Sequence, residues 1–243
     1  MKLHVLGSSS KGNSYIFEGE RGALIIECGL PLKEVKKALN FDLSKVVGAL
    51  VSHSHGDHAK YYADNISNSI SVYMSEATRQ ALGTTHYRAT ILFNKMKEEI
   101  GEFTVMPFEV KHDVPCFGFL FNHPECGNVL FVTDTMYVPN RFANLNQVII
   151  EANYSQEIVD ARIMAGGNAF LRGKSMENHM ELSTTKEVLA SNDLSAVNNI
   201  VLIHLSDGNS DAKLFKSEIE NLTGKTVTIA DSGMMIDFNK APF

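Results

Sequence analysis

Cysteine is scarce in this sequence. Cys28, Cys116 and Cys126 form an odd and widely spaced set of three, which excludes a disulfide-stapled scaffold and fits a reducing compartment. Long apolar runs are missing as well. No stretch approaches the roughly 18 apolar residues of a membrane-spanning helix, so no membrane partner is expected. The opening MKLHVLGSSSKGNSY is too short and too interrupted in its apolar part for a secretory leader, and a cytoplasmic protein is expected. Positive charge is not in excess either. The formal net charge is −6, which argues against a surface that binds a polyanion all over but leaves room for a local basic groove. No Pro-, Ser- or Gly-rich linker, fixed-period repeat or low-complexity tract divides the chain. One domain over residues 1–243 is therefore expected.

What is present is an ordinary globular composition, 44% hydrophobic and 21% charged. Strand-length apolar runs recur, among them ALIIEC (23–28), KVVGALVSH (45–53), FTVMPFEV (103–110), VLFVTD (129–134), VIIEAN (148–153) and NIVLIHL (199–205). Several are apolar almost throughout, as strands covered on both faces are. Helical segments fall between them, at 31–40, 75–83, 183–192 and 210–222, the second opening on Ser75 and stopping at Gly83. The mixture indicates an α/β fold with helices outside packed sheets. Strands outnumber those of a simple alternating βα fold, so two sheets are expected.

The chemistry concentrates in HSHGDH. His53, His55, Asp57 and His58 follow directly on the apolar run KVVGALVS, and the loops after strand ends are where α/β proteins place function. His53 and His55 can reach one ion. Gly56 permits a sharp turn, which lets Asp57 and His58 face a second. A polar loop with a helix cap at Asp57 is the bland alternative. One motif cannot fill two ions of about four ligands each, so further donors are needed. His112 follows FTVMPFEVK, Asp134 ends VLFVTD and His204 follows NIVLI. Singly these are ordinary: a strand-end His is usually hydrogen-bonded, and an Asp in a T-D-T turn usually shapes the turn. With HSHGDH they form a set converging on one edge of a sandwich.

HSHGDH followed by His112, Asp134 and His204, in that order, resembles the metallo-β-lactamase-fold hydrolases over nearly the whole chain. LGSSSKGNSYIF, KHDVPCFGF and LIHLSDGNSD are similar to the YycJ-like (WalJ-like) branch of bacteria and phages, whose members are nuclease-like or unassigned hydrolases. The resemblance implies a four-layer αββα sandwich of two mixed β-sheets flanked by helices, with a metal site at one edge. It assigns His53, His55 and His112 to one ion, Asp57, His58 and His204 to a second, and Asp134 to the bridge between them. Two divalent ions are thus the expected cofactor. Five imidazoles, two carboxylates and no thiolate suit Zn²⁺, with Mn²⁺ or Fe²⁺ also compatible. His55 stands where oxygen-reducing di-iron relatives carry Glu, which favours hydrolysis over redox chemistry.

The resemblance also draws attention to His179, in NHMELSTTKEV. Nuclease members of the fold carry an extra His in this interval that assists at the scissile phosphate. The branch reads H-L-S-N here and this chain reads H-M-E-L-S, so an exposed loop His is the competing reading. Arg162, Arg172 and Lys174, with Arg88, Lys95 and Lys97, either line a basic substrate groove or are solvated surface charges. Aromatic interleaving is weak, Phe93 and Phe170 apart, which argues against a base-stacking platform. SSSKGNS (8–14) lacks P-loop spacing and reads as a hairpin turn bordering the pocket, whose Gly12 and Asn13 tolerate positive φ. Cys116 reads as a core thiol rather than a ligand.

The expected function is a metal-dependent hydrolase, foremost a phosphodiesterase or nuclease acting on nucleic acid. Two ions about 3.5–4 Å apart would lower the pKa of a shared water towards ~7, with Asp57 orienting it and His179 acting at the phosphate. Hydrolysis of a thioester, lactone or other small ester on the same site is the alternative. A non-catalytic, metal-stabilised binding module is the third reading, and it fits poorly because structural zinc sites are closed and usually thiolate-rich. Nothing in the sequence bears on oligomeric state.

Overall fold

A computed structural model describes residues 1–166 and 178–241. Its strands, numbered in chain order, form two seven-stranded sheets. The first runs, in spatial order, β14 (Met234–Asp237), β1 (Lys2–Ser9), β2 (Gly12–Glu18), β3 (Ala23–Ile26), β4 (Val46–Leu50), β5 (Val72–Met74) and β6 (Ala89–Ile91). The second runs β13 (Thr226–Ile229), β12 (Asn199–Ile203), β11 (Leu145–Glu151), β10 (Gly127–Val132), β9 (Cys116–His123), β8 (Phe103–Val110) and β7 (Glu98–Ile100). Both are mixed. The first is antiparallel from β14 to β3 and parallel from β3 to β6. The second is parallel from β13 to β10 and antiparallel from β10 to β7.

The near-continuous apolar strands now have a cause. Successive side chains point to opposite faces, and both faces are covered. In β3, Leu24 and Ile26 enter the core between the sheets, while Ala23 and Ile25 lie under the helices of the first sheet. In β12, Val201 and Ile203 face the sandwich interior, and Ile200 and Leu202 pack with Phe215 and Ile219 of helix Ala212–Thr223. The result is the expected αββα sequence of layers. The inter-sheet core is rich in rings: Phe131 meets Tyr15 edge-on at 5.5 Å, and Phe17 meets Phe121 at 4.8 Å. Among the described residues no helix is long and apolar enough to cross a membrane.

The four expected helices correspond to Leu32–Ala38, Glu76–Ala81, Leu182–Ala190 and Ala212–Thr223. Ser75 caps the second by accepting from the Thr78 N–H, and Asp211 caps the fourth. Three-residue β6 and β7 and the short helices Gly56–Ala59 and Tyr62–Ser67 have no signature in the sequence, because so few residues carry no periodicity. The SSSKGNS segment is a β1–β2 hairpin with Ser9 opposite Gly12. Gly12 has φ 151°, and a Cβ there would lie 2.8 Å from the Gly29 carbonyl oxygen. Asn13 makes no use of that tolerance: it is a buried strand residue without positive φ, its side chain hydrogen-bonded towards Asp57 and His58.

The topology sends the carboxyl ends of β3, β4, β8, β10, β11 and β12 to one edge, the position in which open α/β sheets bind ligands. Three of these ends break into left-handed backbone at non-glycine residues, Glu27 (φ 69°), Asp134 (φ 42°) and His204 (φ 55°). Such conformations cost free energy and persist where the surroundings over-determine them.

Phe131→Ala removes a fully buried ring that joins the two sheets. Its expected cost is ~3–5 kcal/mol, seen as a lower urea midpoint at unchanged slope; a loss under ~1 kcal/mol would contradict the packing described.

Candidate metal centre

Nine side chains gather at this edge in three groups, the last two sharing Asp134 and His204. His53, His55 and His112 form the first, Asp57, His58, Asp134 and His204 the second, and Asp134, Glu151, His179 and His204 the third. In each group the donor atoms lie within 4.8 Å of one another. All seven residues expected as ligands are thus brought together, and His179 joins them.

Local structure explains the convergence. After β4 the chain runs extended through His53 and His55, then enters the short helix Gly56–Ala59, which turns Asp57 and His58 inward. His112 lies two residues beyond β8, Asp134 two beyond β10, and His204 directly after β12. Asp134 is the hub. Its Oδ2 lies 3.3 Å from His58 Nε2 and 3.9 Å from His53 Nε2, and its Oδ1 lies 3.8 Å from His204 Nε2. Asp57 Oδ2 sits 3.4 Å from His58 Nε2 and 3.5 Å from His204 Nε2. In the first group His112 Nε2 is 3.3 Å from His55 Nδ1, while His112 Nδ1 donates to the Asn178 carbonyl at 2.9 Å.

Electrostatics follow from burial and from this mixture of charges. Burial would raise the Asp134 carboxyl, but His58 and His204 override it and hold it well below the usual carboxylate range. Asp57 is likewise held low against burial by its hydrogen bonds to His204 and His58. Burial pushes His53 well below its ordinary value, reinforced by His58, and lowers His112 too. His58 and His204 go up in spite of burial, drawn by Asp134 and, respectively, by Glu27 and Asp57. Protons are held where carboxylates crowd, and a cation that displaces them meets the same field.

A divalent cation fits this donor set. Buried polar atoms are almost always hydrogen-bonded, yet His53 Nε2 is buried, faces Asp134 and has no hydrogen-bond partner. Nitrogen and carboxylate oxygen donors without thiolate suit Zn²⁺, Mn²⁺ or Fe²⁺. Cys116 Sγ comes within 3.7 Å of His53 Nδ1, but burial, with Asp134 and Glu27 nearby, drives its thiol well above its ordinary value, so it stays protonated.

The surrounding residues were not singled out in the sequence. Glu151, fully buried at the end of β11, takes His179 Nδ1 at 2.6 Å and the backbone N–H groups of Thr135 and Met180 at 3.1 and 3.2 Å. Glu27, also fully buried, lies 3.5 Å from His58 Nδ1. Asn153 donates to the His204 carbonyl at 2.7 Å. Asp113 Oδ1 lies 3.1 Å from His112 Nε2 and 3.5 Å from His55 Nε2. The available signal was an acid closing an apolar run, in ALIIE and VIIE, where it cannot face solvent.

The basic residues are placed differently. Arg162 donates to the Gly208 carbonyl at 2.5 Å and to Asn209 Oδ1 at 2.7 Å, bracing the loop that follows His204. Arg172 and Lys174 lie outside the described residues. Arg88 donates to the Ser69 carbonyl and lies over the Tyr87 ring.

Comparison with known proteins points the same way. Residues 9–60 match the model of the metallo-beta-lactamase superfamily. The exodeoxyribonuclease WalJ of Streptococcus pneumoniae serotype 2 is 26% identical over 98% of this chain and 92% of its own length. The exodeoxyribonuclease YycJ of Bacillus anthracis is 28% identical over 65% of this chain and 66% of its own. The crystal structure of the metallo-beta-lactamase fold protein YhfI from Bacillus subtilis superposes with a TM-score of 0.74 at 17% identity, covering 97% of this chain and 98% of YhfI.

His179 yields a pH prediction for metal-stripped protein. Burial disfavours its charged form, but Glu151 and Asp134 outweigh burial and raise it to about 9. The folded value exceeds the ordinary 6.5, so the stabilisation is complete below the unfolded value and is lost as pH rises through about 9. Imidazole NMR titration should place His179 near 9 and show a fall in Glu151→Gln; titration at or below 6.5 in the parent protein would contradict the pairing.

Proposed function

We propose, from the premise that this chain has the metallo-β-lactamase fold and resembles the WalJ and YycJ exodeoxyribonucleases, that it is a metal-dependent phosphodiesterase that cleaves nucleic acid, with DNA as substrate. The observation that carries this reading is the convergence on Asp134 of imidazoles from strand ends in both sheets. We take residues 1–243 as one domain. The three buried free thiols support a reducing, cytoplasmic setting.

In this reading His53, His55 and His112 would hold one divalent ion and Asp57, His58 and His204 a second, with Asp134 a donor available to both and with Zn²⁺ preferred and Mn²⁺ or Fe²⁺ compatible. When bound, such a pair lowers the pKa of water to make a nucleophile and neutralises charge developing on phosphoryl oxygens. The chain supplies the rest. Asp57, held ionised, accepts a hydrogen bond from the attacking water and fixes its direction. Glu151 holds His179 by Nδ1, which leaves Nε2 to donate to a phosphoryl oxygen or to the leaving oxygen. His179 stacks on His204 with centroids 5.2 Å apart and planes at 17°, so the ring has little freedom to turn away. Asn153, bonded to His204, and Glu27, beside His58, set the orientation of two imidazoles, as outer partners of metal-site histidines do. Arg162 supports the loop after His204, and Arg172 and Lys174 remain candidates for backbone contacts.

Purified protein supplied with Mn²⁺ or Zn²⁺ is expected to cleave bis-p-nitrophenyl phosphate and labelled DNA oligonucleotides. Turnover of thioesters or lactones without phosphodiester cleavage would overturn the assignment. His179→Ala should lower kcat by about 10²–10⁴-fold, the usual contribution of a general acid, at unchanged metal content. Metal loss in that variant would make His179 a ligand instead.

A further inference from the structure

Beside the metal centre lies a groove of about 810 Å³, within the ~300–1,000 Å³ range of small-molecule sites. His112 and Asp113 form its inner wall, so it opens directly off the first histidine group. Helix Glu76–Ala81, the loop after β6 and the end of β8 form the other walls. Helix Glu76–Ala81 and the loop after β6 have no part in the catalytic reading.

The chemistry of the groove is unlike that of a phosphate channel. Its ionisable lining is Glu76, Glu109 and Asp113 against Lys111 and His112. Three carboxylates repel a phosphate backbone, but they accept hydrogen bonds from a neutral group that carries N–H donors. Phe93 stands at the groove with 59% of its surface exposed, so part of its ring is available to a flat guest. A flat, neutral group rich in N–H donors and attached to a phosphate held at the centre is a nucleobase.

We propose that this groove receives the unstacked base of the nucleotide next to the scissile phosphate. Phe93 stacks on the face of the base, and the carboxylates of Glu76 and Glu109 accept from its exocyclic amino or ring N–H groups. The assignment rests on the phosphodiesterase reading and deepens it. A base in this groove has left its helix, so unpaired DNA is the favoured substrate and a duplex must first unstack its end, which costs free energy. The sparse aromatic spacing of the sequence hid this arrangement because one ring acts with two carboxylates contributed by other segments.

The test measures binding of labelled single-stranded DNA, protected by phosphorothioate linkages, to the metal-loaded protein by fluorescence anisotropy. Phe93→Ala should weaken binding about ten-fold, as loss of one base–aromatic stack does, while Phe93→Trp should preserve it. An abasic residue at the terminus that enters the groove, found by trying each end, should weaken the parent protein to a similar extent and Phe93→Ala hardly further. Equal affinities of the parent and Phe93→Ala, or the same abasic penalty in both at every position, would overturn the proposal. A parent protein that shows the Phe93-dependent binding but cleaves no phosphodiester would uphold the groove and defeat the catalytic reading alone.

Discussion

One carboxylate governs this edge of the molecule. Asp134 is 2% exposed, and an ionised carboxylate so deep in protein is tolerated only when paired. The pairing comes from imidazoles delivered by different strands, His53 after β4, His58 from the following turn and His204 after β12. Removing any one of them leaves the others in an unbalanced field. The buried acids Glu27 and Glu151 extend the same logic outward, each beside an imidazole, His58 or His179. The centre is a lattice of alternating acid and imidazole, and a divalent cation is the charge that replaces the protons it would otherwise hold.

The sandwich makes that lattice geometrically available. Parallel strands bring their carboxyl ends to a common edge, and the two sheets meet there across a ring-filled core. Neither sheet carries the set alone: His53, His55, Asp57 and His58 belong to the first, and His112, Asp134 and His204 to the second. A shift of one residue in strand register would turn each donor to the opposite face. Both faces of β3, β4, β11 and β12 are packed into separate cores, and the close fit of those side chains opposes that shift, so packing far from the centre holds the donors in place.

Much of this was legible in the sequence, for identifiable reasons. HSHGDH stands out because imidazoles are rare, with 9 in the chain. His112, Asp134 and His204 were legible because each ends an apolar run, and run ends share an edge in this architecture. Other features left a weaker trace or none. Glu27 and Glu151 are single acids closing apolar runs, and only the fold shows that solvent cannot reach them. Asp113 reads as an ordinary neighbour of His112 until its carboxylate is seen between two imidazoles. Asn13 looked like a turn residue because Asn favours turns, whereas hydrogen bonding towards Asp57 and His58 holds it in the strand. The groove at Phe93 is built from segments distant in sequence, and periodicity within one segment cannot report it.

The central claim is that the lattice around Asp134 is a two-ion site. Its most direct measurement is the metal content of the purified chain by inductively coupled plasma mass spectrometry, after resupply with Zn²⁺ or Mn²⁺ and removal of loosely held ions. The account predicts two divalent ions per chain, and fewer when Asp134 is replaced by Asn in a chain that still folds. A protein that retains no ion, or an Asp134→Asn variant that keeps both, would contradict it.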